Sequence, residues 1–121
     1  MMNKVYVTNE IREFASEAAR DAWCKQDLID RKVQRLSEEV AAELNRAISL
    51  FGPMRSPHEA LGVIEEEWEE FRKEVWAFNI AKGRDTRPAM RTELIQLAAM
   101  ALRAVHDVID NGDPNPYGVN Q

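Results

Sequence analysis

A chain of 121 residues and 13.9 kDa, 45% of them hydrophobic, is enough for one domain with a modest core. Its formal net charge of −5 and pI near 5.1 argue against direct nucleic-acid binding or attraction to anionic membranes, both of which need surplus Lys and Arg. The lone Cys24 cannot form an internal disulfide, residues 97–102 are too short an apolar run to span a bilayer, and the opening residues lack the apolar stretch of a signal peptide, so a cytoplasmic protein is expected.

In chain order, Val5-Tyr6-Val7 reads as a strand-like or extended arm. Helical periodicity over residues 9–24 places Ile11, Phe14, Ala15, Ala18 and Ala22 on one side. A second helical pattern over residues 27–50 carries Val33, Leu36, Val40, Leu44, Ala47 and Ile48, and Gly52-Pro53 stops it. Whether these two patterns form one helix or two stays open. Ser56-Pro57-His58-Glu59 is a start signal for a third helix: a capping serine, a proline for the first turn, and an acid at the capping-box position. Its apolar stripe of Leu61, Ile64, Trp68, Phe71, Val75 and Phe78 runs to about residue 81, with Gly83 placed to end it. A fourth helix is expected over residues 85–110, with Pro88 in its first turn, followed by an irregular tail over 113–121. The pattern predicts a single all-α domain over residues 1–112, an antiparallel bundle of about four helices.

The third helix carries the functional signal. At 100° per residue, Glu67, Glu70 and Glu74 fall together beside the apolar stripe, and no basic residue of that helix shares their arc. Like charges four residues apart destabilise a helix, and carboxylates crowded against an apolar wall must take up protons or find a cation. A solvated acidic face is the plain alternative. In the fourth helix Glu93, Gln96, Met100 and Arg103 share a side, and the small residues Ala98, Ala99, Ala101 and Ala104 permit close approach of a neighbour. Antiparallel packing of the two helices would set Glu67 and Glu70 opposite Glu93, an oxygen-rich arrangement suited to Mg²⁺. His58 and His106 have no zinc-type spacing, and no serine triad, glycine-rich phosphate loop or Cys–His pair is present.

Residues 58–105, with HEALGVIEEEWEEF and then ELIQLAAMALR, resemble the MazG-like all-α nucleoside triphosphate pyrophosphohydrolases, particularly their short single-domain phage and bacterial members. That family's pattern is E-E-x-x-E, a spacer, then E-x-x-D. Glu66-Glu67-x-x-Glu70 matches the first half, 22 residues (71–92) follow, and Glu93 opens the second half. Gln96 stands where the family has Asp: its carbonyl oxygen can coordinate a cation but brings no charge. Asp107 is a poor substitute, eleven residues or roughly 16 Å further along the helix axis.

The resemblance implies hydrolysis of a nucleoside triphosphate, or a related nucleotide, between its α- and β-phosphates. It implies Mg²⁺, or Mn²⁺, held by Glu67, Glu70 and Glu93 with Gln96 beside them. Glu66 is the candidate to orient or deprotonate water, and Arg103, Asp107 and Arg91 are the candidate substrate contacts. Lys82, Arg84 and Arg87 surround the loop between the two helices. A homo-oligomer, dimer or tetramer, is expected because apolar stripes along every helix would leave a lone chain with exposed apolar surface. The competing expectations are a non-enzymatic helical interaction protein and a relative that binds nucleotides without cleaving them.

Overall fold

The computed structural model describes residues 3–7 and 10–112; the expected tail over 113–121 lies outside the described residues. Two compact units are separated, residues 1–37 and 38–121, and the boundary falls within a long helix.

In the first unit, β1 (Asn3–Val7) and β2 (Glu10–Phe14) pair antiparallel, from Asn3 opposite Phe14 to Val7 opposite Glu10. The helix expected to begin at residue 9 is therefore corrected over residues 10–14. Ile11 and Phe14 are three apart and mimic a helical face, but the β-prone Val5-Tyr6-Val7 segment supplies a partner strand. Ser16 then sets the true start: its hydroxyl accepts from the Ala19 amide at 3.1 Å, capping α1 (Glu17–Phe51). The Phe14 ring sits 5.6 Å from that of Trp23, tilted by 46°.

α1 also merges the two helical patterns that the sequence left open. No glycine or proline interrupts residues 17–51, and the mid-helix Ser37 and Ser49 donate back to the carbonyls of Val33 and Asn45 rather than capping a new start. Gly52, at φ 67°, ends it. The class is all-α with a two-stranded hairpin added, and three α-helices are found among the described residues where about four were expected.

In the second unit, α2 (Pro57–Ala77) begins as the sequence predicts: the Ser56 hydroxyl accepts from the Glu59 amide at 3.1 Å, and the Glu59 carboxylate accepts from the Arg55 amide at 2.9 Å. It stops four residues before the expected end at 81. Asn79 accepts the Lys82 amide on its side chain and bridges to Arg84, closing a tight turn through a 3₁₀ segment (Ile80–Lys82) and Gly83 at φ 72°. α3 (Arg87–Ala104) follows and continues as a π-helical stretch (Val105–Asp110). α2 and α3 are the closest-packed helices; the Thr86 hydroxyl donates to the Glu74 carbonyl and pins their shared end.

The core is small: Ala47 of α1, Met54, Ala60 of α2, and Ala99 and Met100 of α3, flanked by Val40, Leu44, Val63 and Ile64. The alanines on α3 let the helices approach, as the sequence predicts. Much of the α2 apolar stripe is exposed in the single chain, as the stripes along every helix led one to expect: Leu61, Trp68 and Val75 are each near half accessible. The inward face of α2 runs instead through Ala60, Ile64, Glu67, Phe71 and Glu74, so the acids themselves turn toward the bundle.

Candidate metal centre

One carboxylate oxygen each from Glu67, Glu70 and Glu93 lies within 4.8 Å of the others, and all three residues are half-buried. α2 brings Glu67 and Glu70 to one flank because they are three apart, and the turn over residues 78–86 returns α3 with Glu93 facing them. This is the juxtaposition that the acidic spacing predicts.

The electrostatic cost appears as retained protons. Burial, a hydrogen bond shared with Glu70, and the charges of Glu70, Glu67 and Glu74 push the Glu93 carboxyl up to about 7. Burial also raises Glu67, with the charges of Glu70, Glu66 and Glu43 adding to it and Arg46 opposing it. Gln96 sits between two of these acids. With its NH₂ turned toward them, it donates to Glu93 Oε2 at 3.0 Å and to Glu67 Oε2 at 3.2 Å. Gln96 therefore belongs to the cluster, as a donor in this state and as a carbonyl ligand if the amide turns over.

This arrangement fits a hard divalent cation: three carboxylate oxygens and one amide, converging from two helices, with more negative charge than the protein neutralises. A carboxyl raised from 4.5 to about 7 holds its proton more tightly folded than unfolded. Below pH 4.5 both states are protonated and there is no penalty. As pH rises toward 7 the unfolded chain ionises first, so stability falls, and above 7 the loss levels off. Glu93 is thus expected to make the metal-free protein progressively less stable as pH rises from about 4.5 to about 7. Chemical denaturation in chelator at several pH values measures this. A Glu93→Gln protein should show a flatter profile, and an unchanged slope would refute the assignment.

Not every expected residue joins the cluster. Glu66 stands exposed beside Glu67 and contributes its charge. Arg91 is exposed and donates both guanidinium nitrogens to Glu39 of α1. Arg103 and Asp107, expected as substrate contacts, lie about 15 Å or more along α3 from Glu93 by helix rise. Arg103, 4% exposed, donates to the Gly52 carbonyl and pairs with Asp107 at 3.5 Å, and Asp107 accepts the Met54 amide at 2.9 Å. They pin the turn between α1 and α2 to the end of α3. Burial presses Asp107 upward, but hydrogen bonds from His106 and Met54 and the charge of Arg103 hold it below the usual carboxylate range. Of the loop cations, Arg87 forks onto Asp85, which it holds down at about 2, and lies over the Phe78 ring.

Sequence reasoning missed the contribution of α1. Glu43 reaches Glu67 electrostatically, and its neighbour Arg46, bound to it at 3.0 Å, is the cation that opposes the rise of Glu67. The signal was present: Glu39, Glu43 and Arg46 border the buried stripe of Val40, Leu44 and Ala47 at helical spacing, as Glu67 and Glu70 border that of α2. Comparisons with family models, curated proteins and solved structures return no match for this chain.

Proposed function

We propose that this protein is a metal-dependent nucleotide pyrophosphohydrolase of the MazG-like type, cleaving a nucleoside triphosphate or related nucleotide between its α- and β-phosphates. The observation that carries the reading is the convergence of Glu67, Glu70 and Glu93 within 4.8 Å, at the spacing of the family's two acidic motifs. Glu67, Glu70 and Glu93 would hold Mg²⁺ or Mn²⁺, with Gln96 turning its carbonyl inward. Such an ion, when bound, offsets charge on phosphate oxygens. To serve as a ligand Glu93 would have to be ionised, its carboxyl being pushed up to about 7 without an ion. Glu66, exposed beside the ligands, orients or deprotonates the attacking water. Arg91 stands on the same helix as Glu93, at the rim of an adjoining groove, and contacts the substrate.

The apolar residues left open on α1, α2 and α3, among them Leu36, Trp68 and Leu94, favour a second copy as their cover, giving a cytoplasmic homo-oligomer. The test is incubation of the full chain with canonical and modified nucleotides in Mg²⁺, Mn²⁺ or chelator, with light scattering on the same preparation. Metal-dependent pyrophosphate release from an assembly heavier than 13.9 kDa is the expected result. Metal-dependent binding without turnover would point to a degenerate relative, for which the loss of a carboxylate at Gln96 supplies the reason. No turnover and no metal-dependent thermal shift would leave the exposed stripes as the functional surface and sink the enzyme.

A further inference from the structure

Beside the acid cluster, α1 and α3 pack more openly than α2 and α3, leaving a groove of about 360 Å³. Ala42 and Ile95 give it apolar walls, and Glu39, Glu43, Arg46, Arg91 and Gln96 carry its polar groups. Gln96 connects it to the acids, since its amide lines the groove and also reaches Glu67 and Glu93. Two guanidinium groups therefore face one cavity that borders three crowded carboxylates.

Both arginines are engaged, but in a way that permits exchange. Arg46 forks onto Glu43 within α1, and Arg91 forks onto Glu39 across the groove. Arg46, Arg91 and Glu39 are about half exposed, so solvent and salt screen these pairs, the Arg91–Glu39 pair more than the one to the less exposed Glu43. A phosphate is tetrahedral but offers a guanidinium a pair of oxygens, as a carboxylate does, and can carry more charge, so it competes for each fork. Two of the four ionised side chains lining the cavity are arginines, and these are the groups an anion could take over from Glu39 and Glu43.

We infer that this groove receives the phosphate chain of the nucleotide, with Arg46 and Arg91 as its cationic contacts and Glu43 and Glu39 as the carboxylates they release. The inference rests on the metal reading of the acid cluster and adds to it a binding residue on α1, a helix outside both acidic motifs. Glu39 is then an internal competitor. Removing it should free Arg91 and tighten anion binding, an effect that a purely structural ion pair would not produce.

The experiment is calorimetric titration of the full chain with Mn²⁺ alone, then with inorganic pyrophosphate in saturating Mn²⁺. The parent is compared with Arg46→Gln, Arg91→Gln and Glu39→Gln, each checked for parent-like helicity. Mn²⁺ binding retained in every variant, pyrophosphate binding weakened roughly tenfold or more in each arginine variant, and binding tightened roughly two- to fivefold in Glu39→Gln are expected. Parent-like pyrophosphate affinity in either arginine variant, with Mn²⁺ still bound, overturns the groove assignment and leaves the metal reading standing. Failure of the parent to bind Mn²⁺ overturns both.

Discussion

Glu67→Gln is expected to lower metal-dependent pyrophosphate release by about a hundredfold or more, while making the metal-free protein more stable. The two effects share one cause. Burial strains the Glu67 carboxylate, the charges of Glu70, Glu66 and Glu43 add to it, and Arg46 opposes them. Glutamine has nearly the same shape but no charge, so the repulsion goes and the packing stays. Relief of about 0.5–1 kcal/mol would raise the melting temperature in chelator by a few degrees. Added Mg²⁺ or Mn²⁺ should then raise the melting temperature of the parent and not of the variant. Melting curves with and without metal, beside a pyrophosphate assay, decide the matter. A variant that melts lower in chelator and still turns over would show that Glu67 is a structural residue. Sites that bind ions commonly give up stability in this way.

The largest purely structural effect is expected at Asp107. Its carboxylate is 6% exposed, accepts the Met54 amide and faces Arg103, whose Nε has no hydrogen-bond partner among the described residues. Asp107→Ala leaves a buried guanidinium without its counter-charge and orphans the Met54 amide, at an expected cost of about 3–5 kcal/mol. For a domain of this size that is a large share of the total. Urea denaturation at neutral pH measures it. Asp107→Asn, which keeps an acceptor for Met54 but loses the charge, should fall between the parent and the alanine variant. An alanine variant as stable as the parent would show that the pair contributes nothing.

How far the sequence could be read depended on whether an interaction is local. The α2 cap is legible because Ser56, Pro57 and Glu59 lie within one turn, and Gly52 marks the end of α1 because no other residue takes its backbone conformation as readily. Glu67, Glu70 and Glu93 were legible as a group because two helices joined by a short turn leave little choice of register. The strand at residues 10–14 was not, since Ile11 and Phe14 fit a helical period and only the pairing with residues 3–7 overrides it. That a lone chain leaves apolar surface open was legible from the stripes, but not that it falls at Trp68 and Val75. An apolar stripe announces that something must cover it, without saying whether the cover comes from the same chain. Arg103 and Asp107 looked like a polar extension of the Glu93 face. Their role as a buried pin depends on Gly52 and Met54, more than forty residues earlier in the sequence.

If the acid cluster holds a cation as proposed, Gln96 bears on how it fares with and without one. A primary amide presents hydrogen on one side and oxygen on the other, and half a rotation of its last torsion exchanges them. With hydrogens inward it calms Glu67 and Glu93; with oxygen inward it would complete a cation's shell. An aspartate in that place serves only the loaded form and adds a further repulsion to the empty one. On the proposed metal reading, the glutamine at position 96 would thus act as a two-sided latch, suited to the acid cluster with or without a cation.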